Sequence, residues 1–480
     1  MFKVAVIGGG GAGSGAAFQL YKRFGSEAAI TVFERKGHVG GRAWDTTFAG
    51  CHMEVGGVLH HSTGKLTREM MEFTGSQEGV PSLSIDGKGE TYAFWTDKGF
   101  PIICHTSLLS MAFNILKHVG IPSALRVTNN AVQMARQYEG VYAQLGEHAP
   151  FLTPDELFET LGLLEPTRVS TAEYFKQIRV NDRMAHDVVE AITHNMYNQG
   201  VEMNALASLV GLAGAGLAGG YLFVIEGGNW TLYDKMLKKA GIELRANTTV
   251  TRVTITSAAG AKAAEANGTT AGAPGSTAAT AGAADGMAST GLPYRYEITD
   301  GNGHTEGFDA VILAAPPALA NLTVVLDGAP FTLIAHPYQE VQTTLVVGEL
   351  RPEYFGRKPG SPMPSTIFTA ASAPAPFKSI GTTGYSPNYN SRIYKIFSAS
   401  HVMSSAELDA IFSVIHDTHV QAWRGAYPVL TPGIEHLPFE LNPGLYYACA
   451  METIAGSIEV ETVGGANAAN LCADYLTRAR

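Results

Sequence analysis

Cysteine is scarce in this 480-residue chain. Its four cysteines, Cys51, Cys104, Cys449 and Cys472, are scattered, and none belongs to a Cys-x-x-Cys pair or to a Cys/His spacing typical of zinc sites. We therefore expect neither a disulfide framework nor a bound metal.

Positive charge is also limited. The chain has 33 Lys and Arg against 43 Asp and Glu, a formal net charge of -10. Binding to a phosphate backbone requires clustered basic residues, so this balance argues against a nucleic-acid partner. With 45% hydrophobic and 16% charged residues, the chain can form a large core.

The sequence as given lacks the pattern of a secretory leader. It opens with MFKVAVIGG, an apolar strand-like run without a basic region or a cleavage site. Taken literally, this start predicts a cytoplasmic protein. A leader trimmed from the sequence would instead allow a lysosomal or secreted one.

Residues 205–225 carry no charge and are long enough to span a bilayer. Five glycines lower their helix propensity, and Glu202 and Glu226 flank the stretch where Lys or Arg anchors are expected. We predict a buried helix followed by a strand rather than the alternative, a transmembrane span.

Three further stretches differ in composition. Residues 257–292 are nearly all Ala, Gly, Thr and Ser, which predicts a disordered insertion at the tip of a hairpin between strands at 242–256 and 294–299. Residues 66–200 read as mostly helical, with Thr153 as an N-cap before Pro154. Residues 330–400 are rich in β-branched and aromatic residues, which favours strands.

The first 36 residues contain a dinucleotide-binding pattern. KVAVIGGGGAGSGAA places Gly8, Gly10 and Gly13 between an apolar strand and an Ala-rich helix, where backbone N–H groups can approach a pyrophosphate at the helix N-terminus. A second strand, AAITVF, ends before Glu34, 21 residues after Gly13, where an acid binds ribose hydroxyls. Because a carboxylate repels a 2'-phosphate, Glu34 argues against NADP, although Arg35 follows it.

Downstream motifs decide which dinucleotide. A second glycine turn, Gly40-Gly41-Arg42, is followed by MEVGGVLHH, and the order of these motifs resembles the flavin-containing amine oxidase superfamily. The resemblance implies FAD, with the Val250 backbone against adenine, Glu452 beside the ribityl and pyrophosphate, and the Ile458 backbone N–H facing the flavin pyrimidine. The predicted cofactor-binding residues are Gly8, Gly10, Ala12, Gly13, Glu34, Arg35, Gly41, Arg42, Gly57, Val58, Val250, Glu452 and Ile458.

Several longer stretches resemble prenylcysteine oxidases, also called prenylcysteine lyases, more closely. They include DVVEAITHNMYNQG, QEVQTTLVVGELRPEYF, RIYKIFSAS and GLYYACAMETIAGSIEVETVGGANAAN. The resemblance implies FAD-dependent cleavage of a farnesyl- or geranylgeranyl-cysteine thioether. The products would be cysteine, a prenyl aldehyde and, after reoxidation by O2, hydrogen peroxide.

This resemblance also implies an α/β fold of the glutathione-reductase and amine-oxidase type. We predict a Rossmann-like FAD-binding domain interleaved with an α+β substrate domain. The predicted FAD-binding domain comprises 1–65, 221–320 and 430–480, and the substrate domain comprises 66–220 and 321–429.

No catalytic residue can be assigned firmly from the sequence. His194 and Tyr197 lie in a matching stretch, although a hydrogen-bonded core histidine is the favoured reading of His194. Glu459 is a candidate for orienting water or for a purely structural role. Cys449 and Cys472 match no flavin-attachment motif, which favours non-covalent FAD.

Two alternative functions stay open at this point. One is a related flavin oxidase or desaturase acting on an amine or an isoprenoid. The other is a non-catalytic prenyl-binding flavoprotein.

The apolar segments near 100–120 and 205–225 are candidate walls for a tunnel that holds an isoprenoid chain. They are equally well explained as plain core helices.

Overall fold

The structure, a computed structural model, describes residues 1–81, 91–105, 108–147, 150–266 and 291–478. Its strands, in chain order, are β1 Phe2–Ile7, β2 Ala28–Phe33, β3 Asp45–Phe48, β4 Cys51–Glu54, β5 His60–His61, β6 Glu78–Gly79, β7 Thr91–Thr96, β8 Gly99–His105, β9 Leu222–Ile225, β10 Glu243–Arg245, β11 Val250–Ser257, β12 Tyr294–Asp300, β13 Thr305–Phe308, β14 Ala310–Leu313, β15 Thr323–Leu326, β16 Ala329–Pro330, β17 Tyr338–Leu350, β18 Thr366–Thr369, β19 Ser379–Ser386, β20 Ser391–Ser398, β21 Phe412–Pro428, β22 Glu440–Asn442 and β23 Leu445–Tyr447.

The α-helices are α1 Gly11–Phe24, α2 Lys65–Thr74, α3 Leu108–Val119, α4 Ile121–Glu139, α5 Val141–Glu147, α6 Pro154–Thr160, α7 Glu165–Arg168, α8 Thr171–Gln177, α9 Glu190–Tyr197, α10 Ala205–Leu212, α11 Asn229–Ala240, α12 Ala258–Ala266, α13 Pro317–Ala320, α14 Ser405–Ile411 and α15 Ile458–Arg478. Arg183–Val189 and Ala213–Leu217 form π-helical turns, and Gly25–Glu27 and Pro352–Phe355 form 3₁₀ turns.

The first of two large sheets has six strands in the order β10-β2-β1-β14-β23-β22. All neighbours are parallel except β22 and β23. Parallel strands are covered on both faces, which explains the continuous apolar runs VAVI in β1 and AVIL in β14. The parallel sheet and its crossover helices confirm the predicted Rossmann-like α/β fold.

The second large sheet has seven strands in the order β21-β17-β20-β19-β18-β7-β8. Helix α3 packs against β8, the π-helical turn Arg183–Val189 against β7, and α9 against β18 and β19. The chain thus passes from the first sheet to the second and back, in the interleaved manner expected. The domain bounds given above stay a prediction.

The prediction of a disordered insertion at 257–292 is wrong in its first part. β11 and β12 pair as a hairpin, as expected, from Val250 opposite Asp300 to Ser257 opposite Tyr294. Residues Ala258–Ala266, however, form helix α12, because an Ala-rich segment has high helix propensity once it is nucleated at a strand end. Residues 267–290 lie outside the described residues.

Two other regional predictions are also tested. The mostly helical stretch contains a hairpin, β7–β8, that the helical pattern concealed. Residues 205–225 form the buried helix α10, a π-helical turn and strand β9, as predicted. In the described part of the chain, no helix is both long and apolar enough to cross a membrane.

Helices α1 and α15 pack with their backbones in close contact. A Cβ at Gly465 would overlap the carbonyl oxygen of Ala12, and one at Gly15 would lie 2.9 Å from the carbonyl oxygen of Thr462. The two helix N-termini meet as well, because a Cβ at Gly11 would lie 3.6 Å from the carbonyl oxygen of Ile458. Small residues on both helices therefore bring two positive helix ends to one place.

We expect Gly465→Ala to lower the free energy of unfolding by about 1–3 kcal/mol, because the added methyl group forces α1 and α15 apart. Urea unfolding would measure the loss. The matched control is Gly146→Ala in α5, where a Cβ meets no atom within 4 Å, and it should be neutral or stabilising by up to about 1 kcal/mol. Equal stability of Gly465→Ala and the wild type would contradict the close packing.

Candidate active site

A cavity of about 1740 Å³ lies between the two large sheets. Most pockets for one small molecule are about 300–1,000 Å³, so this volume suits a large cofactor together with a substrate. One part is lined by glycine turns and charged side chains, and the other is lined mainly by apolar and aromatic ones.

The glycine turn between β1 and α1 forms one end of the cavity. Gly8 has a φ of +112°, and a Cβ there would lie 2.5 Å from the carbonyl oxygen of Ala314. A Cβ at Gly13 would overlap the carbonyl oxygen of Gly8. Ala12 follows at the start of α1, whose first N–H groups have no partner within the helix. The turn thus has the geometry that lets a pyrophosphate approach the backbone.

Glu34 is fixed beside this turn at the end of β2. It is 6% exposed, and its carboxylate oxygens accept hydrogen bonds from the backbone N–H of Gly9 and of Lys36, each at 2.9 Å. A carboxylate held in this way keeps acceptor capacity for ribose hydroxyls. Arg35 is exposed, also lines the cavity, and donates to the carbonyl oxygen of Leu319 at 3.0 Å.

The second glycine turn packs directly on the first. A Cβ on Gly41 would lie 3.1 Å from the Cα of Gly10. Arg42 then pairs with Glu452, which is 1% exposed. The structure therefore brings together the predicted residues Gly10, Gly41, Arg42 and Glu452.

Residues 54–58, from the last residue of β4 onward, line the cavity, and we call this segment the flavin loop because Gly57 and Val58 in it are predicted cofactor contacts. Asn229, 1% exposed, donates through Nδ2 to the carbonyl oxygens of Gly57 at 2.9 Å and Val58 at 2.8 Å. Its backbone N–H donates to Glu54 Oε1 at 2.7 Å. Asn229 was not among the predicted site residues, because its side chain does not cap α11 but bonds to distant segments of the chain.

Two predicted backbone contacts lie on the same cavity. A Cβ on Gly57 would lie 3.5 Å from the side chain of Ile458, which begins α15. Val250, the first residue of β11, lines the cavity near the glycine turns. Gly57, Val58, Val250 and Ile458 thus all line the cavity, and their contacts with FAD stay a prediction.

A second missed residue, Glu461, lies beside Glu452. Burial, followed by the charge of Glu452, raises the pKa of Glu461 well above its ordinary value, which favours a protonated carboxyl at neutral pH. Among the described residues, the buried Glu452 Oε2 has no hydrogen-bond partner, and the buried carboxyl of Glu461 has only the weak thiol donor of Cys449 beside it. Buried carboxyl oxygens of this kind suit the hydroxyl groups of a ribityl chain.

Cys449 completes this cluster. The cluster could in principle ligate a metal ion, because one sulfur or carboxylate oxygen from each of Cys449, Glu452 and Glu461 lies within 4.8 Å of the other two. Arg42 already supplies the positive charge that an ion would bring, so we interpret the cluster as a polar wall rather than a metal centre. Burial raises the pKa of Cys449 well above its usual value and so disfavours the reactive thiolate. Non-covalent FAD stays a prediction.

Glu459 has a structural partner for each carboxylate oxygen. It accepts hydrogen bonds from the backbone N–H of Leu66 at 2.9 Å, from the Thr67 N–H at 3.1 Å and hydroxyl at 2.6 Å, and from the Tyr142 hydroxyl at 2.8 Å. It therefore caps the N-terminus of α2 from the first turn of α15. This geometry favours the structural reading of Glu459 over the orientation of water.

His194 is 4% exposed and hydrogen-bonded on both ring nitrogens. Because Nδ1 lies 2.8 Å from the carbonyl oxygen of Thr369, it is the donor, and Nε2 accepts from Lys378 at 3.2 Å. Burial, followed by the charge of Lys378, lowers the pKa of His194 to about 4, so the ring is neutral at physiological pH. These contacts fit a satisfied core histidine on the cavity wall. Tyr197 lines the same cavity and packs edge-to-face on Tyr427.

The apolar part of the cavity, which we call the apolar arm, is lined from several elements. Its walls are α3, α4, α9, α10, the turn Ala213–Leu217 and the seven-stranded sheet. The predicted segments 100–120 and 205–225 contribute Ile115, Val210, Ala213 and Leu217, whereas α4 and the sheet were not foreseen. Apolar residues along the arm are Tyr92, Phe94, Ile115, Met134, Ile192, Met196, Val210, Ala213, Leu217, Phe368 and Phe397.

The prenylcysteine lyase family model matches residues 106–479, most of the chain. The chain belongs to the prenylcysteine lyase family. A model of an NAD(P)-binding Rossmann-like domain matches residues 6–73. Similar proteins include prenylcysteine oxidase 1-like of Bos taurus, 27% identical over 98% of this chain and 90% of that protein, and farnesylcysteine lyase of Arabidopsis thaliana, 26% identical over 98% and 87%.

Solved structures share the fold of this family member. Cyclohexylamine oxidase from Brevibacterium oxydans has a TM-score of 0.63 at 13% identity and covers 99% of this chain and 100% of its own. A putrescine oxidase triple mutant has a TM-score of 0.61 at 14% identity and covers 99% of each chain. The protein is an FAD-dependent oxidoreductase, as the sequence predicted. The glycine turns, Glu34 and the buried carboxyl oxygens of Glu452 and Glu461 fit FAD.

We expect Glu34→Gln to weaken FAD binding about 10- to 100-fold, because hydrogen bonds to a charged acceptor are worth about 1.5–3 kcal/mol. Titration of the apoprotein with FAD, followed by flavin fluorescence, would measure the dissociation constant. The control Glu243→Gln changes a carboxylate on the adjacent strand β10, outside the cavity lining, and should leave it unchanged. An unaltered constant in Glu34→Gln would remove Glu34 from the cofactor site.

Proposed function

We propose that the protein cleaves the thioether of prenylcysteine, releasing cysteine and a prenyl aldehyde. The observation that carries this proposal is the continuity of the apolar arm with the flavin loop in one cavity. A prenyl chain fits the arm chemically, and its reacting carbon would then lie where the arm meets the loop. Membership of the prenylcysteine lyase family supports the same substrate class.

The residues of the chain have separable tasks in this reaction. FAD, when bound, supplies the acceptor for the hydride that leaves the carbon next to sulfur. The apolar arm positions the chain and excludes water from it, with a gain of about 0.8 kcal/mol for each buried CH2 before ordering costs. Such a reaction depends more on positioning than on strong acids or bases. We infer that O2 restores the oxidised cofactor.

The direct test mixes the purified yellow protein with farnesylcysteine in the absence of oxygen. The flavin absorbance near 450 nm should bleach and should return when air is admitted, with release of hydrogen peroxide. Putrescine and monoamines serve as matched negative substrates. If an amine bleaches the flavin and neither farnesylcysteine nor geranylgeranylcysteine does, the proposal is contradicted and an amine oxidase is favoured.

A second prediction concerns the length of the apolar arm. Ala213→Phe places a ring in the arm, where it would displace part of the longer geranylgeranyl chain. The ratio of kcat/KM for geranylgeranylcysteine to kcat/KM for farnesylcysteine should fall about tenfold or more, which is the binding free energy of about two CH2 groups. Ala143→Phe, at an exposed position of α5 outside the cavity, is the control. Equal losses for both substrates in Ala213→Phe would place the prenyl chain elsewhere.

A further inference from the structure

Lys395 places a charged group inside the cavity, on the central part of the seven-stranded sheet. It stands on β20 opposite Leu345 of β17 and Gly381 of β19, so these three residues share one face. The side chain is half-buried because one side of it faces the cavity. Arg424, on the edge strand β21, is another charged residue of this sheet along the cavity.

Among the described residues, Lys395 is one of three side chains of the seven-stranded sheet that donate to the flavin loop. Its Nζ donates to the carbonyl oxygen of Glu54 at 3.2 Å. Thr343 Oγ1 and Trp423 Nε1 donate to the carbonyl oxygen of Val55 at 3.2 and 3.1 Å. Neutral donors therefore suffice to anchor this loop, and anchoring alone does not explain an ammonium group here.

The ammonium group has unused hydrogen-bonding capacity. It can donate three hydrogen bonds, and the structure gives it one acceptor among the described residues, with the Phe397 ring centroid at 5.5 Å. A buried charge without full compensation is costly. The remaining donors lie at the cavity, where a water molecule or a substrate can meet them.

The surroundings of Lys395 favour loss of its proton near neutral pH. Burial lowers its pKa to about 8, and the charge of Glu54 acts in the opposite direction. Glu54 faces it from β4, with Asp45 and His52 behind Glu54 on the β3–β4 hairpin. Burial also raises the pKa of Glu54, which weakens its hold on the lysine proton. A group that changes protonation in this range suits acid–base chemistry.

The position of Lys395 matches the junction required by the proposed function. Phe397, two residues along the same face, and Phe368 belong to the apolar arm. On the other side, Lys395 touches the start of the flavin loop, whose Gly57 packs on Ile458. A prenyl chain in the arm would present its sulfur-bearing carbon between these two sets of residues.

We propose that Lys395 accepts a proton from the water that adds to the oxidised thioether carbon and then protonates the departing cysteine sulfur. This role rests on the proposed function. With FAD bound as the hydride acceptor, removal of hydride from the sulfur-bearing carbon would leave a sulfur-stabilised cation. The oxygen of water forms a bond to that carbon, and one water proton passes to the amine of Lys395.

The second half of the step breaks the carbon–sulfur bond. The electron pair of that bond goes to sulfur, which takes the proton of the Lys395 ammonium and becomes the cysteine thiol. The hydroxyl group on carbon gives its proton back to the amine as the aldehyde forms. The proton left on Lys395 then returns to solvent, which completes the balance.

Lys395→Gln and Lys395→Arg separate this role from anchoring. Both keep a donor for the Glu54 carbonyl, and Arg also keeps the charge, but neither can act as a base near pH 8. FAD content, measured from the ratio of flavin to protein absorbance, should match the wild type in both. Oxygen-free single turnovers with farnesylcysteine then give two rates: flavin bleaching at 450 nm and appearance of free thiol in quenched samples.

We expect bleaching within about threefold of the wild-type rate and thiol release about 100-fold slower, the size of effect typical of a lost general base. The pH dependence of thiol release near pH 8 should disappear. A readout independent of turnover is NMR of protein labelled at the lysine ε-carbon. One resonance titrating near pH 8 should be present in the wild type and missing from Lys395→Gln.

Two other outcomes would decide against the proposal, and they can be told apart. Parallel slowing of bleaching and thiol release, or unchanged thiol release, would overturn the role of Lys395 while leaving thioether cleavage intact. A wild-type protein that no prenylcysteine bleaches would instead overturn the proposed function and this role with it.

Discussion

The backbone contact between α1 and α15 is the constraint on which the cavity depends. Gly465 and Gly15 allow the two helices to touch, and their N-termini at Gly11 and Ile458 consequently meet at one wall. Each helix start carries partial positive charge, suited to phosphate at one site and to the electron-rich end of a reduced flavin at the other. Side chains larger than hydrogen at these glycines would separate two binding determinants at once.

The seven-stranded sheet supplies what the dinucleotide fold lacks. Its cavity-facing residues form a graded surface, from the aromatic rings of β7 and β18 to Lys395 and then to Thr343 and Trp423, which donate to the flavin loop. A prenylcysteine has a hydrocarbon chain, a sulfur atom and an amino-acid head in the same order, so it suits this succession of apolar and polar surroundings. The solved amine oxidase structures share the fold over 99% of the chain, this sheet included, so chemistry must be argued from the side chains that line the cavity.

The sequence predicted the features that local chemistry marks. Gly8, Gly13 and Gly41 stand where backbone approach excludes a side chain, and Glu34 follows from its spacing after the glycine turn. Asn229, Glu461 and Lys395 escaped because their roles arise from strand register and helix packing between distant segments. The β7–β8 hairpin did leave a signal, since Asp97-Lys98-Gly99 lies between β-branched and aromatic runs.

The hairpin of β11 and β12 has a consequence for how this protein can change over time. Its paired strands close at Ser257 and Tyr294, in a five-stranded sheet apart from the apolar arm. The entropy of closing a connection rises only slowly with its length, so residues added between these strands cost the fold little. That junction is therefore a tolerant point of growth, where evolution or an engineer can graft new sequence at little cost to the fold.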